Sequence, residues 1–100
     1  MQATRLDYAE RKSTELNTRS AALAELKQAL ERRLPHARVV HSKPLRVAED
    51  WLQVAHEHLA RIQQSDDEAW SYAKRDFEHA EYELDLALRR ASDALRAGPE

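Results

Sequence analysis

The fold is determined by two stretches of sequence, LRVAEDWLQVAHEHLARI at 45–62 and WSYAKRDFEHAEYELDLA at 70–87. In each of them apolar residues recur at alternating intervals of three and four, the spacing of one face of an α-helix. The stripe of the first stretch is Leu45, Ala48, Leu52, Ala55, Leu59 and Ile62. The stripe of the second is Trp70, Ala73, Phe77, Ala80, Leu84 and Ala87. Both stretches are therefore predicted to be helices with one buried face.

The two stripes are complementary in size. If the chain reverses around Ser65, Ile62 meets Trp70, and every later pair sets a large residue of one stripe opposite an alanine of the other. Two antiparallel helices can then approach closely without leaving voids, because protein interiors tolerate neither gaps nor overlap. We expect an alanine-rich seam between the second and third helices.

A third stripe precedes these two and predicts the first helix. It comprises Leu6, Ala9, Ser13, Leu16, Ser20, Leu23, Leu26, Leu30 and Leu34, and it ends before Pro35. The residues at 13–20 are rich in serine and threonine, which compete for backbone hydrogen bonds, so both a continuous helix and a bend near 13–20 remain open. The predicted fold is all-α, an up-down-up antiparallel three-helix bundle that resembles a coiled coil.

Residues 1–100 are predicted to form one helical domain. We expect helix 1 at about 4–34, a connection at 35–43, helix 2 at about 44–64 and helix 3 at about 66–97. Ser65 and Glu68 match a capping box at the start of helix 3, and Pro44 suits the first turn of helix 2. On these bounds helix 3 exceeds helix 2 by about three turns. Val39 and Val40 are expected to cover part of that excess.

Helix 2 carries a second apolar set, turned away from its first stripe. It consists of Val47, Trp51, Val54 and His58. A helix that faces solvent on one side typically has a single apolar stripe. We therefore expect helix 2 to lie in the centre of the bundle and to pack on both neighbours.

Bulk composition narrows the class of protein. The chain has one glycine, no cysteine and a net charge of -2. The absence of cysteine fits a reducing compartment, and no apolar run predicts an export signal or a membrane span. We therefore expect a cytoplasmic protein with no membrane partner. The preference for arginine over lysine is typical of GC-rich bacterial or phage genomes.

No residue pattern indicates catalysis or metal binding. No nucleophile stands beside an evident base, and no glycine-rich turn could bind phosphate. His56 and His58 flank Glu57 but point in different directions on a helix. Asp76 and His79 share a side, but they supply only half of a bundle metal motif. We predict that the chain is not an enzyme and has no metal, cofactor or small-molecule substrate.

Basic residues are predicted to gather at one end of the bundle, where helix 1 ends, helix 2 begins and helix 3 ends. They are Arg32, Arg33, Arg38, Lys43, Arg46, Arg89, Arg90 and Arg96. Such a cluster could bind phosphates or an acidic protein surface, although arginines in a last helical turn also complement the helix dipole. The cluster has no aromatic residues to stack on single-stranded bases.

Charge also divides along the chain. Residues 1–46 contain ten Lys and Arg against five Asp and Glu, a balance of +5, whereas residues 47–100 contain six against thirteen, a balance of -7. Two interpretations remain open. Rim ion pairs could hold helix 1 against helix 3, or unlike faces could guide self-association.

The predicted function is that of a non-enzymatic helical protein–protein interaction module. It would act as a homo-oligomer, such as a dimer, or as an adaptor, regulatory or chaperone-like binder of another protein, because uncovered helix ends need a second chain to cover them. The candidate partner-binding residues are Tyr72, His79, Tyr82, Leu86, Leu88 and Leu95. The favoured interpretation is that helix 1 covers Tyr72, His79 and Leu86; otherwise they form an exposed strip. The alternative function is binding of nucleic acid or another polyanion through the basic end.

Overall fold

The computed structural model describes residues 4–33 and 42–97 and contains three α-helices. Helix α1 spans Thr4–Arg33, α2 spans Lys43–Gln64 and α3 spans Trp70–Ala97. The three pack side by side into a bundle 53 Å long and 18 Å wide. The predicted all-α three-helix bundle is confirmed.

The closest packing is between α2 and α3. Their stripes form the core, and the buried members are Leu45, Ala48, Ala55, Leu59, Ile62, Ala73, Phe77, Ala80, Leu84, Ala87 and Ala91. Leu52 and Trp70 are half-buried against this cluster. Small side chains along both helices explain why these two lie closest together.

Helix α1 is continuous through its serine- and threonine-rich part, so the interpretation without a bend is the one the structure gives. The hydroxyls of Thr14 and Thr18 donate to the backbone carbonyls of Glu10 and Thr14, each at 3.3 Å. Bonds of this kind to the residue four positions earlier satisfy a hydroxyl without interrupting the helix.

The core face of α1 begins differently from the predicted stripe. Its buried residues are Tyr8, Ala9, Leu16, Leu23 and Leu30. Leu6, which we expected in the stripe, is 54% exposed. The ring of Tyr8 occupies the space between α1 and α3 instead, with its centroid 6.4 Å from that of Phe77.

The third helix begins at Trp70, later than predicted, and the capping box is not formed. The Ser65 hydroxyl donates to the carbonyl of Arg61 at 2.6 Å, because Ser65 still closes the end of α2. The carboxylate of Asp66 accepts instead, from the backbone N–H groups of Glu68 at 3.1 Å and Ala69 at 2.8 Å. The N-terminal capping role has therefore moved by one residue.

The excess of α3 over α2 is smaller than predicted. The two helices have 28 and 22 residues, so α3 is longer by about 9 Å, less than two turns. Leu88 and Leu95 are half-buried against the core. Lys43 is the first residue of α2, and Pro44 lies in its first turn as predicted. The end predicted for helix 1 at Leu34 and the connection at 35–41, with Val39 and Val40, lie outside the described residues.

Helix α2 contacts both other helices, but its second apolar set does not make the contact with α1. Val47, Trp51, Val54 and His58 are only half-buried. The side of α2 near α1 carries Glu49, whose carboxylate lies 3.6 Å from the ammonium group of Lys27. The second set therefore flanks the α2–α3 seam on another side of the helix.

Candidate interaction surfaces

The predicted partner-binding residues fall on different surfaces of the bundle. Tyr72 and Tyr82 are 74% and 62% exposed, and His79 is also exposed. Leu86 is half-buried. The remaining two, Leu88 and Leu95, line a groove between α1 and α3. The six residues therefore do not form one continuous site.

An aromatic face lies where α2 and α3 meet, and we define it by Trp51, Tyr72, His79 and Leu86. The imidazole of His79 packs edge-on against the half-buried indole of Trp51, with ring centroids 5.6 Å apart. Tyr72, His79 and Leu86 follow one another at intervals of seven, so they share a side of α3.

Helix α1 does not cover the aromatic face, contrary to the favoured interpretation. It packs instead against the side of α3 that carries Glu78, Glu81 and Asp85. Opposite charges draw α1 to this acidic side, since Lys12 and Arg19 project from its own rim. Tyr72 and His79 remain exposed for that reason.

The α1/α3 groove has a volume of about 670 Å³ and lies along the second halves of both helices. Its apolar lining includes half-buried residues from each helix, namely Leu26, Ala29, Leu88 and Leu95. Glu25, Arg32 and Arg89 are exposed along it. The groove combines an apolar surface with charges of both signs.

At the predicted basic end, described contacts join the ends of α1 and α3. The guanidinium group of Arg33 donates to the Leu95 carbonyl at 2.6 Å, which joins the ends of α1 and α3, and Arg96 pairs with Asp93. Five exposed basic residues make no ion pair with any residue that the structure describes: Arg32, Lys43, Arg46, Arg89 and Arg90. Arg38 lies outside the described residues.

Basic residues of α1 form ion pairs with acidic residues of α3, so the opposite charges of the two parts of the chain meet within one molecule. The Lys12 ammonium group donates to Glu15 at 3.0 Å and to Glu81 at 3.2 Å. The Arg19 guanidinium group reaches Asp85 at 2.7 Å and Glu81 at 3.0 Å. Of the two interpretations of the charge split, rim pairing between helix 1 and helix 3 is the one seen here.

These ion pairs shift the pKa values of Lys12, Glu15 and Arg19 towards the charged forms. The hydrogen bond from Lys12 lowers the pKa of Glu15. The hydrogen bond to Asp85 raises the pKa of Arg19. Burial works against the charge of Lys12, but its hydrogen bonds to Glu15 and Glu81 outweigh burial and raise its pKa. Pairing therefore favours the charged forms of Lys12, Glu15 and Arg19.

Sequence reasoning missed Tyr8, which joins α1 to α3 near their N-termini. Its hydroxyl donates to the Glu78 carboxylate at 2.9 Å, and its ring lies 5.4 Å from the ring of Trp70. The Lys74 ammonium group lies 5.2 Å from the Tyr8 ring centroid, a cation–π contact. Burial and the contact with Glu78 raise the pKa of Tyr8. The position of Tyr8 beside Ala9, at the start of the Ala9–Leu16–Leu23–Leu30 repeat, was the available signal.

Within the described part of the chain, no helix is long and apolar enough to cross a membrane. The described residues also include no cluster of three His, Cys, Asp or Glu side chains suited to holding a metal ion. Comparison with known proteins finds no matching family, no similar curated protein and no similar solved structure.

Proposed function

We propose that the chain is a cytoplasmic, non-enzymatic helical module that binds another protein through its aromatic face. The observation that carries the proposal is the exposure of Tyr72 and His79 on one side of α3, where His79 packs against the half-buried indole of Trp51. Tyrosine and tryptophan are enriched in protein interfaces and supply most of the binding energy where they are anchored in one. An exposed aromatic surface on two closely packed helices suits a protein target.

The titratable groups with shifted pKa values have a structural role in the described bundle. Among the described residues, no polar or charged side chain is fully buried. Active sites usually contain desolvated titratable groups with strongly shifted pKa values. The shifted groups described above instead belong to ion pairs or to the Tyr8 contact that join helices.

A capture experiment with a matched control tests the aromatic face. Wild-type protein, Tyr72→Ala and Leu6→Ala are immobilised and exposed to lysate of the natural host. Leu6 is the control because it is also a large exposed apolar residue, but on another helix. We expect a protein retained by wild type and by Leu6→Ala, with roughly thirtyfold weaker binding to Tyr72→Ala, the effect of losing about 2 kcal/mol. Equal retention by all three, or none by wild type, would contradict the proposal.

A second candidate function, polyanion binding, is favoured by the basic end. Asp85 pairs with Arg19 of α1, and the five basic residues named above make no ion pair with any described residue. Titration with duplex DNA at two salt concentrations tests this role, because phosphate contacts release counterions and weaken as salt rises. We expect Arg90→Ala to bind less tightly than Arg75→Ala, an exposed control in the first half of α3. Absence of binding at low salt, or binding unaffected by salt, would exclude it.

A further inference from the structure

The α1/α3 groove lies between two sets of described polar contacts that join α1 to α3. Along α1 the side-chain contacts with α3 run from Tyr8 through Lys12 to Arg19. The next described polar contact between α1 and α3 is the hydrogen bond from Arg33 to the Leu95 carbonyl. Between these positions the groove of about 670 Å³ separates the helices and leaves Leu26 half-buried. An apolar groove that the bundle does not fill is suited to receive a further helix.

The charges beside the groove are arranged symmetrically along α1. Glu25 and Arg32 are both exposed and both border the groove. They are seven residues apart, so they lie on the same side of the helix about 10.5 Å from each other. Neither makes an ion pair with another described residue. One negative and one positive charge at this spacing form a surface that is complementary to its own reversed copy.

We infer that the groove receives helix α1 of a second copy of this chain, in antiparallel orientation. A two-fold axis between Glu25 and Arg32 sets Glu25 of each chain opposite the partner's Arg32, so the pair forms twice. A parallel arrangement would instead place like charges together. Ala22 and Ala29 line the same groove, and their small side chains let two helices approach until Leu26 is covered. This inference goes beyond the proposed function and does not use the aromatic face.

Charge reversal gives a direct test in solution. Sedimentation equilibrium is measured for wild type, Glu25→Arg, Arg32→Glu, the double variant that carries both changes, and Glu57→Arg as an exposed control on α2. We expect wild type and Glu57→Arg to reach twice the chain mass of 11.6 kDa. Each single reversal converts two attractions into two repulsions and weakens association by at least about tenfold. The double variant exchanges the charges and restores the dimer.

Three results would overturn the inference: a wild-type monomer at every concentration, a dimer indifferent to the single reversals, or a double variant that stays dissociated. A second measurement locates the contact by disulfide capture, since the chain has no cysteine of its own. Ala29→Cys lies near the two-fold axis, whereas Ala24→Cys is exposed on another side of α1. Oxidised glutathione should link the first variant into dimers and leave the second unlinked. Equal linkage of both would also refute this geometry, while capture of a target through Tyr72 would leave the proposed function intact.

Discussion

Exchanging the sizes of Ala48 and Leu84 tests the seam on which the bundle depends. Both residues are completely buried, one on α2 and the other on α3. The size alternation of the two stripes predicts that they face each other. Ala48→Leu should then overfill the place where the Leu84 side chain lies, and Leu84→Ala should open a cavity next to Ala48.

The expected magnitudes follow from burial. Leu84→Ala should lower the free energy of unfolding by about 2–5 kcal/mol, since a fully buried leucine is lost and its cavity closes only in part. Ala48→Leu should cost about 1–3 kcal/mol through overpacking. In the double variant the added side chain fills the cavity, so its destabilisation should be smaller than the sum of the two single effects by about 1–3 kcal/mol. A bundle of this size has about 5–15 kcal/mol in total, so the variants remain measurable.

Urea unfolding followed by far-UV circular dichroism provides these free energies for wild type, both single variants and the double variant. The matched control combines Ala48→Leu with Leu59→Ala, a buried leucine on the same helix about 16 Å away. This control pair should be additive to within about 0.5 kcal/mol. If the Ala48–Leu84 pair is additive to the same degree, the two residues do not face each other and the reasoning from size alternation is refuted.

Three further changes probe the contacts at the N-terminal ends of α1 and α3. Tyr8→Phe should lower the free energy of unfolding by about 0.5–1.5 kcal/mol at pH 7, because it removes the hydrogen bond to Glu78. The pKa of Tyr8 is raised in the folded protein, so the stability of wild type should also fall as pH rises above about 10, where only the unfolded chain releases this proton. The variant should lack this contribution, and a spectrophotometric titration of both proteins follows the release of the Tyr8 proton. Arg5→Lys should cost about 1–2 kcal/mol in thermal unfolding, since one ammonium group cannot replace a guanidinium group whose Nη1 donates to the carbonyls of Ile62 and Gln63 at 2.9 Å while its Nε donates to Asp67 at 3.0 Å. An unchanged melting temperature would refute that role. Asp66→Ala should lower the free energy of unfolding by about 1 kcal/mol, and Ser65→Ala should lower it less. The reverse order would favour the capping box of Ser65 and Glu68 that the sequence predicts.

The core of α2 and α3 could be predicted from sequence because both of its signals are local and repeated. Helical periodicity identifies the buried face, and the alternation of alanine with large residues identifies the partner face. Ala55, Phe77 and Ala80 are completely buried as the stripes indicate. The buried face of a long helix can be predicted correctly even when the predicted ends of the helix are wrong by several residues.

The contacts of α1 were harder to predict because they depend on its rotation relative to the other two helices. The pattern placed Leu6 in the core and gave Tyr8 no role, whereas the structure exposes Leu6 and buries Tyr8. The choice is made by Glu78 and Phe77 on another helix, which supply a hydrogen bond and an aromatic contact. The exposure of Tyr72 follows from the same rotation, because α1 docks on the acidic side of α3. Sequence could name both outcomes for Tyr72 but could not choose between them.

The distribution of charge along α1 connects the fold to both proposed surfaces. In its first half, Lys12 and Arg19 are neutralised by Glu81 and Asp85, so α1 and α3 are held together there. Helix α1 does not cover the side of α3 that carries His79, and Tyr72 and His79 stay exposed there. In the second half no such pairs are described, and the helices separate into the α1/α3 groove. The same ion pairs therefore fix α1 against α3 near Lys12 and Arg19, and they leave both the aromatic face and the α1/α3 groove uncovered.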